Sequence, residues 1–217
     1  MNWKDSSGKY FSEKGMIREN YENGQIKSKG RYVNGEKNGY WIEYHELPDQ
    51  FEELHVASEG NYVNGEKNGE WITYYAFNFL ESKCTYVNGV KNGEWVLYDD
   101  LSIPREKGSY VDGKQEGEWI IYSAFAEGQI ESKGEFVNGK ESGEWIEFWE
   151  SIDGKVFGKG SYADGNKSGD WVFYSANGYR ELQGSYVDGK ENGEWIEYDI
   201  NGKVVKNTNY KDGVVVK

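Results

Sequence analysis

The sequence predicts an all-β fold, an elongated single-layer antiparallel β-meander built from tandem β-hairpin repeats. The first observation is that one phrase recurs, Gly-x-Tyr-Val-Asn-Gly-x-Lys-x-Gly-Glu-Trp-Ile-x-Tyr, with a Trp near its end. The second is its spacing, since successive Trp residues are 30, 24, 24, 26, 26 and 24 residues apart. Such a period is typical of stacked units that bury their apolar faces only against neighbouring units. The Trp residues concerned are Trp41, Trp71, Trp95, Trp119, Trp145, Trp171 and Trp195.

The third observation is the composition of the chain. Of 217 residues, 17% are aromatic and 29 are Gly, while the whole apolar fraction is only 36%. This balance suits a thin sheet paved with rings better than a thick aliphatic core. We expect one continuous array over residues 1–217, with an atypical N-terminal cap at 1–20, about seven full repeats at 21–205 and a C-terminal half repeat at 206–217.

Each repeat is predicted to form one hairpin. In the first repeat, residues 31–33 and 41–44 are rich in β-branched and aromatic side chains, and they flank a Gly-containing connection at 34–39. The Asn-Gly and Asp-Gly pairs that open these connections are strong turn signals. Further Gly-containing turns between repeats would carry the chain into the next hairpin. No apolar period of 3.6 residues persists for ten residues, so helices are not expected.

Strand alternation assigns side chains to the two faces of the predicted sheet. We expect Tyr32 to lie opposite Ile42, which would place Gly30 opposite the Tyr44 ring. The face that carries Ile42 and Tyr44 is nearly identical in every repeat, so it is predicted to be the structural one. The opposite face would carry Val33 beside Trp41 and is more variable.

Several departures from the repeat predict local irregularity. The segment after Tyr44 is longer than its counterparts, Cys84 and Thr208 replace the first Gly of the phrase, and Pro104 interrupts an extended stretch. The C-terminal residues 214–216, all Val, are expected to be unpaired. Such an apolar strand could add to a neighbouring chain.

The charge of the chain limits its partners. A net charge of -13 and a pI near 4.7 argue against nucleic acid and anionic membrane surfaces. A basic protein is the natural complement, because opposite fields steer association. The alternative is that the acidic residues merely keep a flat sheet soluble. The N-terminal residues lack the apolar core of a signal peptide, so a cytoplasmic protein is expected.

No motif in the sequence predicts catalysis, a cofactor or a metal. His45 and His55 stand ten residues apart in the long segment, which is no familiar metal spacing, and a solvated loop is the expected setting. Each Asp-Gly turn offers a single carboxylate followed by a residue such as Lys114, too few oxygens for calcium. Cys84 lacks an activating neighbour in the sequence and is predicted to be inert.

Two sets of residues are predicted to bind a protein partner. The first lies in the connections between repeats, where aromatic rings would be exposed at one edge: Phe51, Phe77, Phe79, Phe125 and Trp149. The second occupies variable positions on the Trp face: Glu43, Glu147 and Phe173. Alternatively, the rings of the first set cap the open side of the sheet.

The repeated phrase resembles the bacterial variant of the MORN repeat, over about nine tenths of the chain. This resemblance implies an antiparallel β-meander used as a scaffold or a protein-binding surface, without catalytic residues. It also implies an antitoxin or immunity protein that blocks a basic toxin domain, since many similar bacterial proteins belong to such systems. The second hypothesis is a structural scaffold that self-associates through its terminal strands.

Overall fold

The computed structural model describes the backbone of residues 2–4, 10–12, 15–48, 53–150 and 154–216. The chain forms two compact units, one of Met1–Asn92 with Asp100–Ser102 and one of Gly93–Asp99 with Ile103–Lys217. In both units nearly every described element is a β-strand, and each pairs antiparallel with its sequence neighbour. The predicted all-β meander of tandem hairpins is therefore confirmed.

The first unit contains a small separate sheet and a longer meander. Strands β1 (Asn2–Lys4) and β2 (Tyr10–Ser12) pair only with each other in the described part of the chain. The meander comprises β3 (Ile17–Asn20), β4 (Ile26–Val33), β5 (Glu36–Tyr44), β6 (Val56–Val63), β7 (Glu66–Tyr74) and β8 (Leu80–Val87). A 3-10 turn at Ala76–Asn78 joins β7 to β8.

Strand β9 (Val90–Tyr98) runs across the boundary between the units, and its residues from Gly93 onward belong to the second unit. The meander of that unit continues with hairpin after hairpin. Its strands are β10 (Pro104–Val111), β11 (Lys114–Tyr122), β12 (Ile130–Val137), β13 (Lys140–Phe148), β14 (Val156–Ala163), β15 (Asn166–Tyr174), β16 (Arg180–Val187), β17 (Lys190–Tyr198), β18 (Val204–Lys211) and β19 (Val214–Val216).

The turn within each hairpin has two residues. Asn34 and Gly35 both have positive φ, 53° and 85°, which is the backbone of a type I′ turn and explains the Asn-Gly and Asp-Gly pairs. The predicted turn positions are confirmed, but the predicted six-residue connection at 34–39 is wrong. Glu36 already pairs with Val33, so β5 starts directly after the turn.

The third Gly of each phrase belongs to a bulge rather than to a loop. Between the pairs Arg31–Asn38 and Lys29–Ile42 the register shifts, and Gly39 has a φ of 75°. The bulge therefore sets Lys29, not the predicted Tyr32, opposite Ile42. The shifted register also changes which aromatic ring lies over each strand glycine.

The Trp ring, not the Tyr44 ring, covers the glycine of the preceding strand. A Cβ added to Gly30 would lie 2.1 Å from Cδ2 of Trp41, so only glycine leaves room for the indole. The indole Nε1 then donates to the next carbonyl along, that of Arg31, at 3.2 Å. The same donation, at 3.0 to 3.2 Å, joins Trp71 to Asn61, Trp119 to Ser109, Trp145 to Glu135 and Trp171 to Ser161.

These indoles form the core, so the structural face is the Trp face and the prediction for the opposite face was wrong. The exposed fractions of Trp41, Trp71, Trp119, Trp145, Trp171 and Trp195 are 0 to 4%. On the opposite face Ile42 is buried, whereas its counterparts from Ile72 to Ile196 are only half-buried. Strand alternation alone predicted the opposite assignment of faces, because it does not account for the bulge. The bulge places Tyr32 on the same face as Trp41.

Edge-to-face contacts connect the indoles with the Tyr or Phe of adjacent strands. In the second unit the ring centroids of successive pairs are 5.0 to 6.2 Å apart. The series runs Trp95, Tyr110, Trp119, Phe136, Trp145, Tyr162, Trp171, Tyr186, Trp195 and Tyr210. In the first unit, Trp41 and Trp71 pack in the same way against Tyr32 and Tyr62. Such contacts stabilise beyond the area they bury.

The irregular positions keep the strand pairing, but Trp95, which follows Cys84 in place of a glycine, is only half-buried. Pro104 is the first residue of β10, where a missing N–H is tolerated. Cys84 is buried and still pairs with Trp71 across β7 and β8. Residues 214–216 are not unpaired, as the sequence suggested, because β19 pairs with β18.

We expect Gly134→Ala to destabilise the second unit by ~2 kcal/mol, a typical cost of overpacking a core. The new Cβ would lie 2.3 Å from Cδ2 of Trp145. Urea unfolding monitored by Trp fluorescence measures the effect. Glu135→Ala, at the exposed neighbouring residue, is the control and should change stability little. A Gly134→Ala protein as stable as the control would refute the role of the close approach.

Candidate partner-binding groove

A lysine four residues before the Trp covers the indole in several repeats. The Nζ atoms of Lys37, Lys67 and Lys167 lie 4.3, 4.0 and 3.8 Å from the ring centroids of Trp41, Trp71 and Trp171. Each ammonium is therefore held over an aromatic face, an arrangement that is favourable where solvent is partly excluded. In other repeats this position holds Gln115, Glu141 and Glu191.

Two of the predicted partner-binding residues, Glu43 and Glu147, neutralise these lysines. Glu43 Oε1 lies 3.3 Å from Lys37 Nζ, and Glu147 Oε1 lies 2.9 Å from Lys167 Nζ. Glu43 also accepts hydrogen bonds from the hydroxyls of Ser58 and Tyr62. Both carboxylates are half-buried on the Trp face and are engaged within the chain.

The predicted aromatic residues of the first unit lie together in the connection between β7 and β8. Phe77 and Phe79 are exposed by 50% and 47%, and the Phe77 ring packs edge-on against His55 at 5.0 Å. His55 is buried, contrary to the expected solvated loop, and contacts Asn78. Phe51, the remaining predicted residue of this group, lies outside the described residues.

Phe125 and Trp149, in the second unit, differ sharply in their surroundings. Phe125 is 87% exposed in the connection between β11 and β12. Trp149 is half-buried: its Nε1 donates to the carbonyl of Tyr174 at 3.1 Å, and its ring packs edge-on against Phe157 at 4.9 Å. Trp149 thus belongs to the packed edge of the sheet, whereas Phe125 projects from it.

A first cavity, of about 520 Å³, lies beside Trp149. It brings Trp149 and Glu147 together with Phe157, a residue that the sequence analysis did not select. Its lining is Glu131, Ser132, Glu147, Phe148, Trp149, Glu150 and Phe157. The lining therefore combines three carboxylates with three aromatic rings.

A second cavity, of about 480 Å³, contains Phe173 and shares Phe157 with the first. The Phe173 ring stacks between two indoles, with centroids 5.7 Å from Trp171 and 6.2 Å from Trp195. We call this cavity the aromatic groove. Its lining is Phe157, Phe173, Tyr174, Glu181, Leu182, Tyr186, Glu191, Trp195, Glu197, Tyr198, Val205, Thr208 and Tyr210.

The lining of the aromatic groove is acidic. Three of its lining residues are Glu, and none of the lining residues that the structure describes is Lys, Arg or His. Burial, followed by the charges of Glu191 and Glu147, raises the pKa of Tyr186 to about 12. The same causes, burial and a nearby carboxylate, raise the pKa of Tyr62 beside Glu43 and of Tyr162 beside Glu147. The lining thus has an excess of carboxylates, and the basic groups beside it include Lys167, 5.3 Å from the Phe173 centroid, and Arg180, 4.0 Å from the Tyr198 centroid.

Sequence analysis identified Phe173, Trp149 and Glu147 but missed Phe157 and Glu191. A signal for both was present, because each departs from its repeat. Phe157 is the only aromatic residue three positions before the strand glycine or its replacement, and Glu191 stands where other repeats have Lys. Departure from the repeated phrase, rather than an exposed ring, is therefore the sequence signal for Phe157 and Glu191.

Two observations concern other chemistry. Among the described residues, no group of three or more His, Cys, Asp and Glu side chains is placed to hold a metal ion. No helix in the described part of the chain has the length and apolar character needed to cross a membrane.

Comparison with known proteins adds no family. A scan against protein-family models finds no match, and a search of the curated proteins finds none either. The likeness to MORN repeats therefore rests on the repeated residues themselves.

Replacing the half-buried Lys167 should destabilise the second unit. Lys167→Met removes the ammonium from the face of Trp171 and leaves the half-buried Glu147 carboxylate without its cation. We therefore expect the free energy of unfolding, measured with urea, to fall by ~1–2 kcal/mol. Lys140→Met is the matched control, because its ion pair with Asp164 is exposed, and it should cost less than ~0.5 kcal/mol. Equal losses in the two variants would contradict the structural role of the lysine.

Alkaline pH should weaken the fold through the buried tyrosines. The folded pKa of Tyr186 is raised to about 12, so above the unfolded value near 10 the unfolded chain loses its proton first. Stability then falls as pH rises from 10 to 12, by up to ~1 kcal/mol per pH unit for one such phenol.

Tyr186→Phe keeps the ring and should flatten this dependence, as measured by urea unfolding at pH 9, 10 and 11. Phe136 already occupies the corresponding position of another repeat, so the substitution is compatible with the packing. Tyr179→Phe removes a phenol from an exposed ring and serves as control. An unchanged slope in Tyr186→Phe would disprove the assignment.

Proposed function

We propose that the chain is a non-enzymatic binding protein that captures a basic protein partner. The observation that carries the proposal is the aromatic groove, where rings and carboxylates line one cavity without a basic side chain among the described lining residues. The net charge of -13 supports the same kind of partner. Aromatic anchors with complementary charge are typical of the energetically dominant parts of interfaces.

The most concrete form of this proposal is an antitoxin or immunity protein in the cytoplasm. Its support is the resemblance of the repeated phrase to bacterial MORN-variant repeats. The protein would cover a basic toxin domain and block its active surface by steric occlusion. Exposed rings such as Phe125 would extend the contact beyond the groove. This mechanism requires no cofactor, metal or catalytic residue in the chain.

The second candidate function is a structural scaffold that self-associates. The observation in its favour is the exposure of Val214 and Val215 in β19, which is 65% and 59%. Sedimentation across a concentration series separates the two functions, because a scaffold of this kind forms larger species as concentration rises.

The principal test is neutralisation of a basic toxin-like protein encoded beside the gene. Co-expression should restore growth, and the purified proteins should bind with an affinity that falls as salt is raised, because the interaction is electrostatic. Absence of both rescue and direct binding for every neighbouring candidate would refute the proposal. Phe125→Ala is expected to weaken binding without changing stability, since the ring is almost fully exposed.

A further inference from the structure

The first repeat contains a complete cage for a lysine ammonium. Lys37 Nζ lies 4.3 Å from the Trp41 centroid, 5.2 Å from the Tyr62 centroid and 3.3 Å from Glu43 Oε1. Two rings and one carboxylate thus surround the charge. Since the cation belongs to the chain itself, this cage is filled.

The last full repeat builds the same cage without its lysine. Trp195, Tyr210 and Glu197 occupy the positions of Trp41, Tyr62 and Glu43, whereas Glu191 occupies that of Lys37.

The strand registers agree in the two places. Glu191 pairs with Tyr186 as Lys37 pairs with Tyr32, and Gly193 pairs with Tyr210 as Gly39 pairs with Tyr62. The substitution both removes the internal cation and adds a carboxylate.

Of the basic side chains near this cage, Lys206 is paired with one of its carboxylates, and Lys167 and Arg180 stand over other rings of the groove. Lys206 Nζ lies 2.7 Å from Glu197 Oε1, and its side chain is 60% exposed. Lys167 stands over Trp171 with Glu147, and Arg180 stands over Tyr198, 4.0 Å from its centroid.

Within the described residues, Glu191 and Glu181 form no ion pair. Two carboxylates of the aromatic groove therefore lack a cation from the chain.

We propose that the aromatic groove binds a lysine side chain of the basic partner, with its ammonium between Trp195, Tyr210 and Glu191, beside the ion pair of Glu197 with Lys206. The inference rests on the proposed function and specifies the surface used. The bound lysine supplies from outside the cation that Lys37 supplies within the first repeat. Phe157, Phe173 and Val205 then contact the methylene stem of the lysine and the adjacent residues of the partner.

The charge of the ammonium, not the apolar stem, dominates recognition in this arrangement. A neutral side chain of the same shape would leave the Glu191 carboxylate without a cation. An amide or hydroxyl would lose the attraction of the ring faces for a cation. The groove is therefore expected to discriminate between lysine and its uncharged isostere.

The test uses the full chain, labelled with ¹⁵N, and a short acetylated and amidated peptide with one central Lys between Gly and Ser residues. Chemical-shift titration of the Trp indole N–H signals reports binding. The Trp195 signal should shift and saturate. The same peptide with norleucine in place of Lys should bind at least about tenfold more weakly, corresponding to ~1.4 kcal/mol.

Substitutions at corresponding positions distinguish the groove from the general charge. Glu191→Lys restores the internal cation and should abolish the titration. Glu141→Lys makes the same charge change at the corresponding position of another repeat, outside the groove lining, and should leave the affinity within about twofold, because the cage is untouched. Glu191→Gln introduces the residue type that another repeat has at the corresponding position, Gln115. It should weaken binding about threefold or more. This variant remains informative if Glu191→Lys folds poorly.

Three results would overturn the inference: equal binding of the norleucine peptide, unchanged binding by Glu191→Lys or Glu191→Gln, or shifts confined to other indoles. Failure of the proposed function has a different signature. If the Lys peptide binds at Trp195 while no basic partner is neutralised, the site stands and the immunity role fails. If a partner is neutralised equally by wild type and by folded Glu191→Lys, the role stands and the groove is not its surface.

Discussion

The close approach of an indole to a glycine backbone is the constraint on which six of the seven repeats depend. Since Trp41 lies directly over Gly30, the strand before it can carry no side chain at that point. The positive φ of Gly39 forms the bulge that brings the ring there. The Trp41 indole N–H is satisfied by the next carbonyl, so this large ring is buried without an orphaned donor. Turn, bulge, glycine and Trp therefore form one interdependent unit.

The sequence predicted the class of fold and the turns because both depend on local chemistry. Asn-Gly and Asp-Gly favour positive φ wherever they stand, and the strand residues are β-branched or aromatic. The register was mispredicted because a bulge adds a residue to one strand and so shifts the pairing of the residues beyond it. Alternation alone does not show where a bulge lies. Gly39 looked like part of a long loop, although it lies within β5. Consequently Tyr44, rather than Trp41, was expected over Gly30.

Part of the candidate groove was predictable and part was not. Phe173 and Glu147 stood out as variable residues on the Trp face, and both line cavities of the second unit. Whether such a residue serves a partner or its own chain depends on contacts across several strands. Glu43 and Glu147 illustrate this, because each is paired with a lysine from the same face. Sequence variation shows where repeats differ, and only the structure shows what each difference contacts.

A repeat of this kind can acquire a binding site by one substitution at a position already shaped for a ligand. Where Lys37 is present, the rings and carboxylate around it serve stability; where Glu191 replaces it, similar rings and a carboxylate remain with an added negative charge. The fold tolerates the exchange because the Trp195 indole stays packed by Gly184, Tyr186 and Phe173. Stability and recognition thus draw on the same physical contact, a cation held over an aromatic face, and differ in which molecule supplies the cation.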